Sequence, residues 1–163
     1  MSHNYRRISF RRLHEVSPHV IIDLMNDPDV RRHLPLARGH FGIREHQHFV
    51  SAKERIWEEN GYGPWAFLLD DDFVGWGGLQ PEGDDVDVAL VLHRAYWGAG
   101  RFLYMKFINY AFEELGVDSV ITLLPISRTR VAGMRRLGFH EDGEVTIEGE
   151  VFNRYRFTRD ANR

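Results

Sequence analysis

Apolar residues recur first at helical and then at strand spacing along the chain, and the elements follow from that change of period. Val20, Ile21 and Leu24 share one helical face behind Ser17-Pro18, a capping residue followed by a proline whose missing N–H is no loss at a helix start. Asn26-Asp27-Pro28 stops this helix, and a second short one is expected to begin at Asp27-Pro28 and carry Arg31, Arg32 and His33 before Pro35. From His46 through Phe49, Val50, Lys53, Ile56 and Trp57 the spacing is helical again, with Asn60-Gly61 as a left-handed stop. Then strands begin. Residues 65–69 and 73–79 flank Asp70-Asp71-Asp72 and predict a hairpin with an acidic turn. Residues 86–92 form another strand. Residues 101–115 form a helix apolar on most faces, and Gly116 ends it. Residues 119–124 are a largely apolar run, of the kind buried in a parallel pair with both faces covered. Strand, glycine loop, helix, strand is a crossover unit. Val131, Met134 and Leu137 share a face of a short helix closed by Gly138, and residues 139–145 and 151–158 make a closing hairpin around Glu148-Gly149. The pattern is that of an α/β chain, read as one domain over residues 1–163.

Composition narrows the function. A chain of 163 residues, 43% hydrophobic, has ample material for one core. With 21 Lys plus Arg against 24 Asp plus Glu it has no basic footprint for nucleic acid, so no such partner is expected. The opening MSHNYRRISFRR is polar and basic rather than apolar, and no apolar run approaches the roughly 18 residues of a membrane span. No membrane partner is expected, and the cytoplasm is the expected compartment. The absence of cysteine excludes disulfides, thiolate metal sites and a cysteine nucleophile. Nine histidines raise metal binding, but His46 and His48, with His40 nearby, fall two apart on a helix and so on different faces. No metal is expected.

The informative stretch is LVLHRAYWGAGRF, residues 90–102: a strand, two glycines and a helix start. A helix N-terminus leaves N–H groups unpaired and carries partial positive charge, so an anion can sit there if no Cβ obstructs it. Gly98 and Gly100 remove that obstruction, although a tight turn alone would also use them. No Walker-type run ends in Lys-Ser or Lys-Thr, and no G-x-G-x-x-G precedes position 101, which argues against nucleoside triphosphates and NAD.

Read together, VDVALVLHRAYWGAGRFLYMKFINYAFEELGVDSVITLLP and RTRVAGMRRLGFHEDG resemble the core of GNAT N-acetyltransferases, nearest to the branch that acetylates ribosomal-protein N-termini. Residues 8–13 resemble that family's first strand, NDPDVRRHLP its substrate-side helix region and WAFLLDDDFVGWGGL its central hairpin, so nearly the whole chain is covered. The resemblance implies the GNAT acyl-CoA N-acyltransferase fold, a mixed central sheet splayed between its fourth and fifth strands and flanked by helices. It implies acetyl-CoA as cosubstrate. Its pantetheine arm would lie along Leu90, Val91 and Leu92, with backbone groups of Leu90 and Leu92 bonding its amides. Trp97, Gly98, Ala99, Gly100, Arg101 and Phe102 would hold the pyrophosphate through main-chain N–H groups.

Departures from the family pattern bear on the chemistry. Phe102 stands where a small residue is usual, and an inward-pointing ring would accommodate it. The family's asparagine after the next strand falls on Ser127, its serine three places later on Arg130, and the tyrosine used elsewhere as general acid on Met134. Ser127 would replace the asparagine contact. Arg130 would stabilise a thiolate or bind a CoA phosphate, or else simply face solvent. Asp87 matches a glutamate of the ribosomal-protein branch and alternates with Val86 and Val88, so it is expected to face an acceptor cleft as general base; a solvated strand aspartate is the other reading. His33 would contact the acceptor or relay a proton, or be a surface histidine. The acceptor implied is a peptide or protein α-amine. A polyamine or aminoglycoside acetyltransferase and a non-catalytic acyl-CoA-binding module are the alternatives, and a homodimer fits these motifs as well as a monomer.

Overall fold

The computed structural model describes residues 7–159. Strand β1 (Ile8–Arg11) lies antiparallel to β2 (Pro64–Leu69), with Phe10 opposite Phe67. β2 turns into β3 (Asp72–Glu82) through Asp70 and Asp71, whose φ values of 50° and 70° are the left-handed pair that suits a two-residue hairpin, because its twist matches that of the strands. The acidic turn is as expected. β3 runs three residues past the predicted 73–79 and through Pro81, which lies beyond the last β2 pair, where the missing N–H has no ladder partner to lose. A second tight turn at Gly83 leads to β4 (Asp85–Leu92), and β5 (Ser119–Pro125), β6 (His140–Ile147) and β7 (Glu150–Thr158) follow. The sheet has seven strands in the order β1-β2-β3-β4-β5-β7-β6, antiparallel except for β4 with β5.

Helices cover both faces. On one side lie α1 (Pro18–Asn26), α2 (Pro28–Arg31) and α3 (Ile43–Asn60), over a core of Leu13, Ile21, Leu24, Ala66, Trp76 and Val91. Asp27 caps α2 by accepting from the Asp29 and Val30 N–H groups, which leaves Arg32 and His33 in the turn beyond the helix. α3 begins three residues before His46, because Gly42 supplies the extended cap, and ends at Gly61 with φ 76°. On the other side α4 (Gly100–Glu113) and α5 (Ala132–Leu137) pack on Phe67, Val88, Leu92, Val120, Leu124 and Tyr155. The even residues of β4 therefore face α4, and Asp87 and Val91 face the α3 side. Among the described residues no helix is long and apolar enough to cross a membrane.

The sheet is interrupted in one place. β4 and β5 share a single registered pair, Asp87 with Ile121, and beyond it the parallel ladder stops. Below that pair Arg156 on β7 reaches across β5 to Asp85 of β4, donating from both terminal nitrogens at 2.8 and 3.2 Å while its Nε donates to Asp142. One end of the β4/β5 junction is thus pinned and the other opens.

β3 and β4 approach closely because β3 presents glycines to β4. A Cβ on Gly75 would stand 2.3 Å from the Val91 carbonyl oxygen, and one on Gly77 2.2 Å from that of Ala89. Backbone cannot swing aside as a side chain can. Gly75→Ala is therefore expected to lower unfolding free energy in urea by about 1–3 kcal/mol, whereas Gly100→Ala, whose Cβ meets nothing within 4 Å, should not lower it. Equal midpoints for Gly75→Ala and the unsubstituted chain would contradict the packing described.

Candidate active site

Strand alternation decides which groups of β4 can address the opening. The Ala89 and Val91 carbonyls point at Gly77 and Gly75 of β3, and the His93 N–H donates to Val74. The even residues therefore aim at β5: the Val88 carbonyl accepts from Thr122 Oγ1 at 2.8 Å. Leu90 and Leu92 are next along that edge and have no registered β5 partner. The Leu92 carbonyl accepts from Trp97 Nε1 at 3.0 Å. An extended amide-bearing chain could add here like a missing strand, using the Leu90 N–H and C=O and the Leu92 N–H. Val91 turns its polar groups to β3 and its side chain into the core under α3, so it does not face the opening.

The glycine segment differs from a simple loop. Residues Arg94–Ala99 wind as a 3-10 turn that runs into α4, and the Gly100 N–H donates to the Trp97 carbonyl. This consumes one donor that the sequence left for an anion. Ala99 is buried, whereas Gly98 and Arg101 line an open groove of about 640 Å³ with Phe102, Met105, Lys106 and Asn109. Phe102 does not turn inward: it is 43% exposed, because the α4 positions facing the sheet are taken by Leu103, Tyr104 and Phe107. Its ring forms a wall of the groove. Arg101 and Arg130 are exposed, on α4 and on the segment after β5.

Asp87 stands at the vertex of the opening. It is 4% exposed, which removes the solvated-aspartate reading. Its Oδ2 accepts from Gln80 Nε2 at 3.0 Å, the Leu123 backbone N–H also donates to the carboxylate, and Oδ1 is buried with no partner among the described residues. Burial pushes its pKa up to about 6, against the Gln80 hydrogen bond and the nearby Lys53 charge. Gln80 Oε1 in turn accepts from Lys53 Nζ at 3.1 Å. Across the sheet the buried Tyr104 hydroxyl lies 3.4 Å from Thr122 Oγ1, and burial raises its pKa.

At the open end the structure brings together two residues named from the sequence 94 positions apart. His33 Nδ1 is 3.2 Å from Ser127 Oγ, and Ser127 Oγ donates to the Arg32 carbonyl at 3.4 Å. The His33 ring also lies 6.3 Å from that of Trp97. His33 thus spans from the segment after β4 to the one after β5. Burial, Arg128 and Arg32 lower its pKa, which favours the neutral ring. Met134, at the place of the family tyrosine, is buried and offers no proton. Sequence reasoning missed Lys53, Gln80, Thr122 and Tyr104. Each fits its local helix or strand pattern, so none stands out before the strands are paired. Among the described residues no group of three or more His, Cys, Asp or Glu could hold a metal.

Comparison with known proteins bears on the same features. Residues 7–140 match the family model described as the acetyltransferase (GNAT) domain. No curated protein matches the sequence. Among solved structures, an acetyltransferase from Agrobacterium tumefaciens str. C58 is similar at TM-score 0.76 and 17% identity, over 96% of this chain and 93% of that one. The spermidine N-acetyltransferase from Vibrio cholerae in complex with CoA and spermine is similar at TM-score 0.74 and 12% identity, over 95% and 97%. AAC(6')-Ib in complex with ribostamycin and coenzyme A is similar at TM-score 0.74 and 16% identity, over 95% and 94%. At these identities the structural likeness carries the fold alone. The sheet that parts between β4 and β5 and the family match over most of its length agree: the chain belongs to the GNAT acetyltransferase domain family and is an acetyl-CoA-dependent N-acetyltransferase.

Proposed function

We propose that this acetyltransferase modifies the α-amine of a peptide or protein N-terminus, with Asp87 as general base at the vertex of the β4/β5 opening. The observation that carries the reading is the Asp87 carboxylate, buried, with one oxygen unpartnered and a pKa of about 6. Acetyl-CoA would lie with its pantetheine amides on Leu90 and Leu92 and its phosphates at the groove beside Gly98, Gly100, Arg101 and Phe102, with Arg130 as a further candidate phosphate contact. The open space at Gly100 supports this placement.

The reaction requires a neutral amine. Its nitrogen attacks the thioester carbonyl carbon, the carbon–sulfur bond breaks with its electron pair on sulfur, and the nitrogen proton passes to Asp87. An α-amine titrates near 8 and an alkyl amine near 10.4, so a base of pKa about 6 has roughly two rather than more than four units to make up. The α-amine is the better match. The mouth points the same way: the guanidinium groups of Arg128 and Arg32, whose charges act on His33, would repel a polyamine or aminoglycoside carrying several positive charges. Ser127 and His33, bonded across that mouth, would orient the acceptor. Positioning of two reactants can itself supply about 7–11 kcal/mol, so the absence of a tyrosine at Met134 does not preclude turnover.

A screen of N-terminal peptides, spermine and aminoglycosides with acetyl-CoA and thiol detection tests the acceptor. Peptides should be acetylated fastest; turnover confined to spermine or aminoglycosides would replace this reading, and CoA binding with no thiol release from any acceptor would make the chain a binding module. Asp87→Asn is expected to lower kcat at pH 7 by at least tenfold, since general bases contribute about 10² to 10⁴, with CoA affinity unchanged. In the unsubstituted enzyme kcat/KM should rise with pH through about 6 as Asp87 ionises, and this limb should vanish in Asp87→Asn. An identical pH profile in the two proteins would exclude Asp87 as the base. Gly100→Val should weaken CoA binding in calorimetry while leaving the urea midpoint near that of the unsubstituted chain; unchanged affinity would move the phosphates elsewhere.

A further inference from the structure

Lys53 has no part in the chemistry above, yet it is the charged end of the only side-chain chain leading to Asp87 among the described residues. Its Nζ donates to Gln80 Oε1 at 3.1 Å, and Gln80 Nε2 donates to Asp87 Oδ2 at 3.0 Å. Gln80 and Asp87 are directly paired across β3 and β4, so the amide reaches the carboxylate without strain. An isolated glutamine amide can present either its oxygen or its nitrogen to a neighbour. A lysine ammonium, which only donates, settles the matter: the carbonyl must face Lys53 and the N–H must face Asp87. Lys53 is held in place in turn, its ammonium 5.0 Å from the Trp76 ring centroid and 5.6 Å from that of Phe49. Burial lowers its pKa while the Asp87 charge raises it.

We infer that Lys53 is a positioning residue for catalysis, which orients Gln80 as a donor to Asp87 and keeps that carboxylate ionised at neutral pH. The inference rests on the reading of Asp87 as the base. The charges facing Asp87 make Lys53 the one that matters. Glu82 on β3 disfavours ionisation, the buried Tyr104 on α4 adds no positive charge, and Lys53 on α3 is the nearby cation. Without it Gln80 could turn its carbonyl toward the carboxylate, replacing an attraction by a repulsion.

The test follows Asp87 directly. In the full-length protein the side-chain carboxyl carbon of Asp87, assigned by its loss in Asp87→Asn, is titrated by ¹³C NMR. Lys53→Met, which keeps the length and apolar stem, should move the titration to higher pH by on the order of one unit. The acidic limb of kcat/KM should move with it while CoA affinity stays the same, and Lys53→Arg should restore most of both. Gln80→Leu, which leaves the lysine in place, should shift Asp87 in the same direction and guards against a fold defect peculiar to Lys53→Met. An Asp87 titration unchanged in both Lys53→Met and Gln80→Leu overturns the inference. A titration that moves while the activity profile does not would uphold the Lys53 effect and overturn the assignment of Asp87 as base.

Discussion

The constraint on which the rest of the molecule depends is the parting of β4 from β5 after one registered pair. A parallel pair of buried strands would ordinarily zip along its length, because unpaired backbone groups in a dry interior cost more than the weak slanted bonds they forgo. Here three features hold the junction half open. Arg156, bonded to Asp85 and Asp142, pins the closed end across four strands. Thr122 gives the Val88 carbonyl a side-chain donor in place of a backbone one, and Trp97 does the same for Leu92. What remains is a short edge with Leu90 at its centre and no registered β5 partner, and a helix start at Gly100 where a Cβ would meet nothing within 4 Å.

Placing Asp87 at the vertex is costly to the fold. A carboxylate with a pKa raised from 3.8 to about 6 costs folding stability once it is ionised: the penalty is absent below pH 3.8 and grows until the pH passes about 6. The Gln80 amide, the Leu123 N–H and the Lys53 charge reduce the penalty without removing it, since one oxygen keeps no partner. In the role proposed for Asp87, that incomplete satisfaction would leave Oδ1 a lone pair able to take a proton near neutral pH.

The segment after α1 links the two halves of the molecule across the open end. Asp29 meets Arg94, His33 meets Ser127 and Trp97, and Arg38 meets the Glu148 carbonyl and Glu150 on the β6/β7 hairpin. These contacts are exposed and individually weak. They form a rim rich in arginine at the open end.

Much of the fold is legible in the residues alone. The helical faces of α1 and α3, the acidic turn at Asp70-Asp71, the crossover from β4 through α4 to β5 and the closing hairpin at Glu148-Gly149 depend on local periodicity and turn chemistry, which neighbouring residues determine. The resemblance carried by VALVLHRAYWGAG located the parting strands and the groove at Gly98 and Gly100, and Asp87, His33 and Ser127 were nameable before their geometry was known. Tertiary structure decided the rest. Phe102 faces outward because the inward α4 positions were already filled, and the glycine segment wound into a 3-10 turn that uses the Gly100 N–H. The burial of Asp87, the meeting of His33 with Ser127, and the Lys53-Gln80 chain join residues 7 to 94 positions apart. Periodicity reports which face of an element is apolar; which polar groups meet across elements depends on strand register and helix placement, and these exist only once the chain has folded.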